Sequence, residues 1–145
     1  MTMGRVKKLS IIVYSSSVDR VHYALAAASA AAASNLPATL FFTMSAIQAL
    51  TQDEKGNHGW SKLGHSEEDT DGAAWDANNK EIGVAGFEEL LEACVALEVK
   101  FIICEMGIRI RGINPTALRK DIPIQHGGLV TFFSDADAEG SIIFI

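Results

Sequence analysis

Leu9-Ser10-Ile11-Ile12-Val13-Tyr14 is an almost unbroken apolar run rich in β-branched residues, with no clean alternation of polar and apolar side chains. A strand with one wet face alternates. A continuous run is what a strand covered on both faces needs, and the covers must come from other elements. Val99-Lys100-Phe101-Ile102-Ile103 reads as a second buried strand, closed by Cys104 and followed at once by Glu105-Met106-Gly107.

The residues between and around these runs supply helices. Asp19 to Ser34 is dominated by alanine, which has high helix propensity and lets the helix approach a sheet or another subunit closely; Asn35-Leu36-Pro37 ends it. Ala38 to Thr43 is a further strand and Ser45 to Leu50 a short helical segment, completing a βαβ unit. Phe87, Leu90, Leu91, Cys94 and Leu97 recur at helical spacing, so Cys94 faces the core. Asn114-Pro115 is an N-cap followed by Pro at the first helical position, opening a short helix through Leu118. Ile122-Pro123-Ile124 can be only a short strand or an edge segment, Gly127-Gly128 precedes a helical turn from Leu129 to Phe133, and Ser141 to Ile145 is the last strand. The alternation predicts an open, mainly parallel sheet of four or five strands with helices on both faces, in one domain over residues 1–145. Residues 52–82, rich in Gly, Asp, Asn, Glu and Ser, read as a polar, mobile loop or lid.

Charge and composition narrow the function. A formal charge of −6 with no basic stripe argues against a nucleic-acid surface. Met1 to Lys8 is positive, but the apolar run after it is short and broken at Ser15-Ser16-Ser17, so neither a signal peptide nor a membrane anchor is expected and the chain reads as cytoplasmic. Two cysteines make no disulfide framework, and in a reducing compartment they are thiols.

Cys104 is the principal candidate for chemistry, because ligands in open α/β sheets bind outside the carboxyl ends of the strands. Gly107 and Gly112 let the backbone turn and aim N–H groups at sulfur. Arg109 and Arg111 could add positive potential or hold an anionic sulfur compound, in a segment whose Ile-Arg-Ile-Arg alternation also reads as simply half-exposed. His126 should lie at the same sheet edge, where an imidazole could assist the thiol, and Gly127-Gly128 could form an anion nest. The acidic run Glu67 to Gly72 fails as a calcium loop, because position twelve is Asn78 rather than Glu. His58 and His65 have no metal-ligand spacing and read as solvated loop residues. There is no Gly-x-Ser-x-Gly, Walker loop, dinucleotide fingerprint or Cys-x-x-Cys.

Three blocks resemble the DsrE/DsrF-like family of small sulfur-relay proteins, in its DsrE-like branch. They are the strand-helix opening up to Ala33, the segment Leu40-Phe41-Phe42-Thr43-Met44, and Cys104-Glu105-Met106-Gly107-Ile108-Arg109-Ile110-Arg111-Gly112-Ile113, which is similar to the branch's Cys-x-Met…Gly-Ile segment. Gly127-Gly128 and the closing Ile-Phe-Ile strand follow in the same order. The chain departs where relatives often carry Ser-Met-Asp, having Gly107-Ile108-Arg109, and it has Met44-Ser45-Ala46 where relatives tend to show an aromatic residue and a glycine. The resemblance implies a three-layer, flavodoxin-like α/β/α fold and a homo-oligomer, commonly a trimer or its multiple. It also implies sulfur carried on Cys104 as a persulfide or thiosulfonate, with Cys94 matching a second cysteine found in part of the branch.

The expected function is therefore sulfur transfer, with Cys104 receiving sulfane sulfur from a donor protein or small sulfur anion and handing it to a protein partner, with no metal or organic cofactor. Met106, Gly107, Arg109, Arg111, His126, Gly127 and Gly128 are the possible supporting residues. A non-catalytic oligomeric binding protein with an unreactive Cys104 is the alternative. A thiol peroxidase is weaker, because no Thr or Pro stands beside the cysteine in the usual place.

Overall fold

A computed structural model describes residues 5–145. Met1–Gly4, within the positive amino-terminal stretch Met1 to Lys8, lie outside the described residues. The elements in chain order are β1 (Leu9–Val13), α1 (Val18–Ala33), β2 (Ala38–Phe42), α2 (Gly72–Glu81), α3 (Phe87–Ala96), β3 (Lys100–Cys104), α4 (Glu105–Arg111), β4 (Ile124–Gly127), α5 (Leu129–Asp135) and β5 (Ser141–Phe144). Short 3-10 turns cover Met44–Leu50, Gly59–Lys62 and Pro115–Ala117.

The strands form one five-stranded sheet in the order β4-β3-β2-β1-β5, with every pairing parallel. Helices lie on both sides of it, as a three-layer α/β/α arrangement requires. The two sides are unequal. Leu9, Ile11, Val13, Leu40, Phe42, Phe101 and Ile103 point toward α1 and α3 and belong to one large core cluster. Alternate residues point the other way, where Phe41, Ile102 and Cys104 meet Phe132 of α5 in a much smaller cluster.

Alanine explains how the first side closes. Ala24 and Ala28 of α1 are fully buried, and Leu25 accepts through its carbonyl from the Cys94 thiol of α3 at 3.5 Å. The alanine face expected to serve either the sheet or another subunit is thus spent partly inside the chain. On the second side α5 is only seven residues long and leaves Tyr14, Ile142 and Phe144 exposed beside its own Val130 and Phe133.

Residues 52–82, expected as a polar, mobile loop or lid, instead contain a helix and contribute to the core. Residues Gly72–Glu81 are helical, capped by the Asp71 carboxylate accepting from Ala74 N at 2.9 Å, and Trp60 and Leu63 enter the main core. Few apolar residues suffice because they are anchored. The Trp60 ring stacks on Phe87 at 4.7 Å, its indole N–H donates to Glu88 at 2.8 Å, and Glu88 in turn accepts two bonds from Arg119 at 2.6 and 2.7 Å. Burial opposes charge on Glu88, yet the bonds from Arg119 and Trp60 hold its carboxyl below the usual range. The two histidines are likewise not simply solvated. The His65 ring accepts from the amides of Glu67 and Glu68 at 3.0 Å each, and the His58 ring stacks against Trp60.

A candidate thiol site at the end of β3

Cys104 is the last residue of β3 and the N-cap of α4. Its Sγ accepts from Gly107 N at 3.4 Å, the position of a helix-capping acceptor. The geometry depends on glycine: a Cβ at residue 107 would sit 2.7 Å from Met44 N and 2.8 Å from Ile47 Cδ1. The turn after β2 and the helix after β3 can therefore touch only because residue 107 lacks a side chain. An N–H aimed at sulfur interacts more strongly with an anionic sulfur than with a neutral one.

The thiol is enclosed. Cys104 is 1% exposed and packs with Phe41, Ile102 and Phe132, so α5 is its lid. Two features close that lid. Gly127, level with Cys104 in the β3–β4 register, has Thr131 so near that a Cβ there would fall 2.8 Å from Thr131 Oγ1. At the other end of α5 the Asp135 carboxylate is held by Lys8, Lys100 and Thr39. Burial pushes the Asp135 carboxyl up, but the bonds from Lys100, Lys8 and Thr39 outweigh it and bring its pKa down to about 2.

Several expected helpers are not beside the sulfur. Arg109 and Arg111 lie in the last turn of α4, because the Ile-Arg-Ile-Arg segment is helical rather than an alternating strand; their guanidinium groups make no hydrogen bond to Cys104. His126 is at the expected carboxyl edge, but it is level with Ile103, one residue out of phase with Cys104. Side-chain alternation then sends its imidazole to the opposite face of the sheet, where it lines a shallow depression with Glu105 and Arg109. Gly127-Gly128 is no anion nest, since neither glycine has positive φ. Met106 is half exposed on the outer side of α4, and Gly112 closes that helix in the left-handed conformation at φ 64°. Cys94 is in the core as its spacing implies, and burial pushes its thiol up to about 12.

Phe132 and Asp135 were missed as parts of this site. Phe132 could have been suspected from the apolar turn after Gly127-Gly128, whereas nothing local in the sequence links Asp135 to Lys8, separated by 127 residues.

A parallel sheet flanked by helices, with a thiol closing an interior strand and capping the next helix, defines an α/β protein with its candidate site at the carboxyl edge. The model of the DsrE/DsrF-like family matches residues 7–138, and the chain belongs to that family. Among solved structures, that of the ychN protein from E. coli is similar, with a TM-score of 0.56 and 17% identity over 96% of this chain and 99% of that one. At that identity the likeness concerns the fold. The search of curated proteins returns no match. No helix among the described residues is long and apolar enough to cross a membrane.

Proposed function

We propose that the chain is a sulfur carrier in which Cys104 holds sulfane sulfur and passes it to a protein partner. Membership of a family of sulfur-relay proteins supports a sulfur-relay role, and the carrying observation is the placement of Cys104 at the carboxyl end of β3 with an amide N–H on its Sγ. The exchange balances without an added oxidant or reductant. The Cys104 thiolate attacks the outer sulfur of a donor persulfide, a new S–S bond forms on Cys104, and the donor leaves as its thiolate. An acceptor thiolate then takes the outer sulfur and returns Cys104 to the thiolate form.

Access to the sulfur is through α5. The helix is short, and its displacement would uncover Cys104 without opening the larger core on the other side of the sheet. The half-exposed strip of Tyr14, Phe133, Ile142 and Phe144 on the same side supports assembly into a homo-oligomer over that face. Light scattering at micromolar concentration is expected to give a multimer; the mass of one chain would remove this part of the reading.

The near-complete burial of Cys104 also favours a second reading, a non-catalytic binding protein in which the thiol only packs. Intact-mass measurement after incubation with polysulfide or thiosulfate separates the two. The carrier gains a reductant-reversible sulfur adduct that Cys104→Ser abolishes and Cys94→Ser keeps. No adduct, or an adduct equal in both variants, selects the second reading.

A further inference from the structure

At the end of α4 away from the thiol lies a cleft of about 410 Å³, within the size range of small-molecule sites. One wall is the 3-10 turn Met44–Leu50 that follows β2, and another is the C-terminal end of α4, which follows β3. Both elements leave the carboxyl edge of the sheet, where open α/β folds place ligands. The third wall comes from residues 52–62 of the polar insertion.

The walls are fixed by backbone rather than by loose side chains. Gln52 N donates to Ala117 O and Gly59 N to Thr51 O, both at 2.8 Å. Gly59 is pressed so close that a Cβ there would lie 2.0 Å from Gln48 O. The insertion can dock here only as glycine, and the cleft is the space left beside that contact.

Its polar groups are unevenly committed. Asp53 accepts from Lys55 N, Asn57 N and Asn57 Nδ2 at 2.8 to 2.9 Å, so its carboxylate is largely occupied in holding a turn. Lys62 approaches it only to 3.7 Å. The Arg111 guanidinium has no hydrogen bond or ion pair among the described residues, and neither do the side chains of Ser45, Gln48 and Gln52. Two cations, Arg111 and Lys62, thus line one cleft with a single carboxylate, Asp53, which Lys62 faces, beside two amides and a hydroxyl without partners among the described residues.

We propose that this cleft is a second site, separate from Cys104, that binds a small hydroxylated organic anion of the sugar-phosphate class. Arg111 and Lys62 take the anionic group, with the planar guanidinium able to grip two oxygens at once. Gln48, Gln52 and Ser45 take the hydroxyls. The seven residues of α4 put roughly 10 Å between Arg111 and Cys104, so binding does not need the thiol.

The test is an amide-resolved NMR titration of the full chain with glucose 6-phosphate, beside glucose and inorganic phosphate alone. Glucose 6-phosphate is expected to give saturable shifts over residues 48–59 and 111–114, and Cys104→Ser to leave them unchanged. Arg111→Gln should weaken binding about tenfold, while Arg109→Gln, the same charge change on the same exposed helix but outside the cleft, should cost less than about twofold. Glucose and inorganic phosphate should each bind about tenfold more weakly than the sugar phosphate. Absence of saturable shifts at these amides overturns the proposal. Equal weakening by both arginine variants overturns it as general electrostatics, and inorganic phosphate binding as well as the sugar phosphate overturns the ligand class.

Discussion

The two cysteines are buried to nearly the same degree, yet their surroundings have little in common. Cys94 sits inside α3, fully enclosed between that helix and α1, and its thiol donates to the Leu25 carbonyl. A group in such a place meets only acceptors and hydrocarbon, and desolvation pushes its ionisation up to about 12. Cys104 sits where a strand becomes a helix and its sulfur is the acceptor, with Gly107 N as donor. Burial alone does not classify a thiol. The polarity of its neighbour and the size of the element covering it do, because reagents reach buried groups through local opening and small elements open more readily than cores.

Alkylation separates the two thiols most cleanly. Opening α5 alone should expose Cys104, while Cys94 needs the main core to open, so iodoacetamide at neutral pH is expected to label Cys104 at least about 100-fold faster. Peptide mapping at early times reads the ratio. Equal rates would mean that α5 and the core open together and that the two sites do not differ in access.

A smaller effect tests the latch on that lid. The folded pKa of Asp135 is about 2 against an ordinary 3.8, so its carboxylate stabilises the fold above pH 3.8 and that contribution is lost as pH falls through about 2. Its worth is about 2 kcal/mol. Asp135→Asn is expected to lose about that much at neutral pH in urea unfolding and to flatten the dependence between these two values. The same variant should speed labelling of Cys104 and leave Cys94 slow. Unchanged Cys104 labelling would show that the latch does not govern access.

The smallest effect concerns the amide that faces the Cys104 sulfur. Gly107→Ala must push apart α4 and the turn at Met44, a strain of about 1–3 kcal/mol, partly offset by the better helix propensity of alanine. The net cost should be about 1 kcal/mol in urea unfolding, with Cys94 labelling unaffected. A neutral or stabilised variant would show that the close approach at Gly107 does not hold the helix start in place.

Signals that act over a few residues show in the chain, and those that join distant residues do not. β1, β2 and β3 are visible because a strand covered on both faces must be apolar throughout, and α1 and α3 because alanine content and apolar spacing act within a few residues. The insertion misled for the opposite reason. Its average composition is polar, but Trp60 and Leu63 fill core positions and Gly59 and Gly72 are needed for close backbone approach, none of which an average can register. His126 was placed at the right edge and on the wrong face, since a shift of one residue in register reverses every side chain of a strand.

The parallel α/β class, the buried helix face holding Cys94 and the position of Cys104 at a strand end can be read along the chain, because they rest on local periodicity and on the order of elements. What surrounds that sulfur is set by packing across the fold. The covering Phe132, the latch of Lys8, Thr39 and Lys100 on Asp135, and the turning of His126 to the face opposite the thiol all depend on register and on contacts between residues far apart in the chain. Such contacts leave no periodic trace, since the partners meet only after the sheet has set their faces and the helices have closed over them.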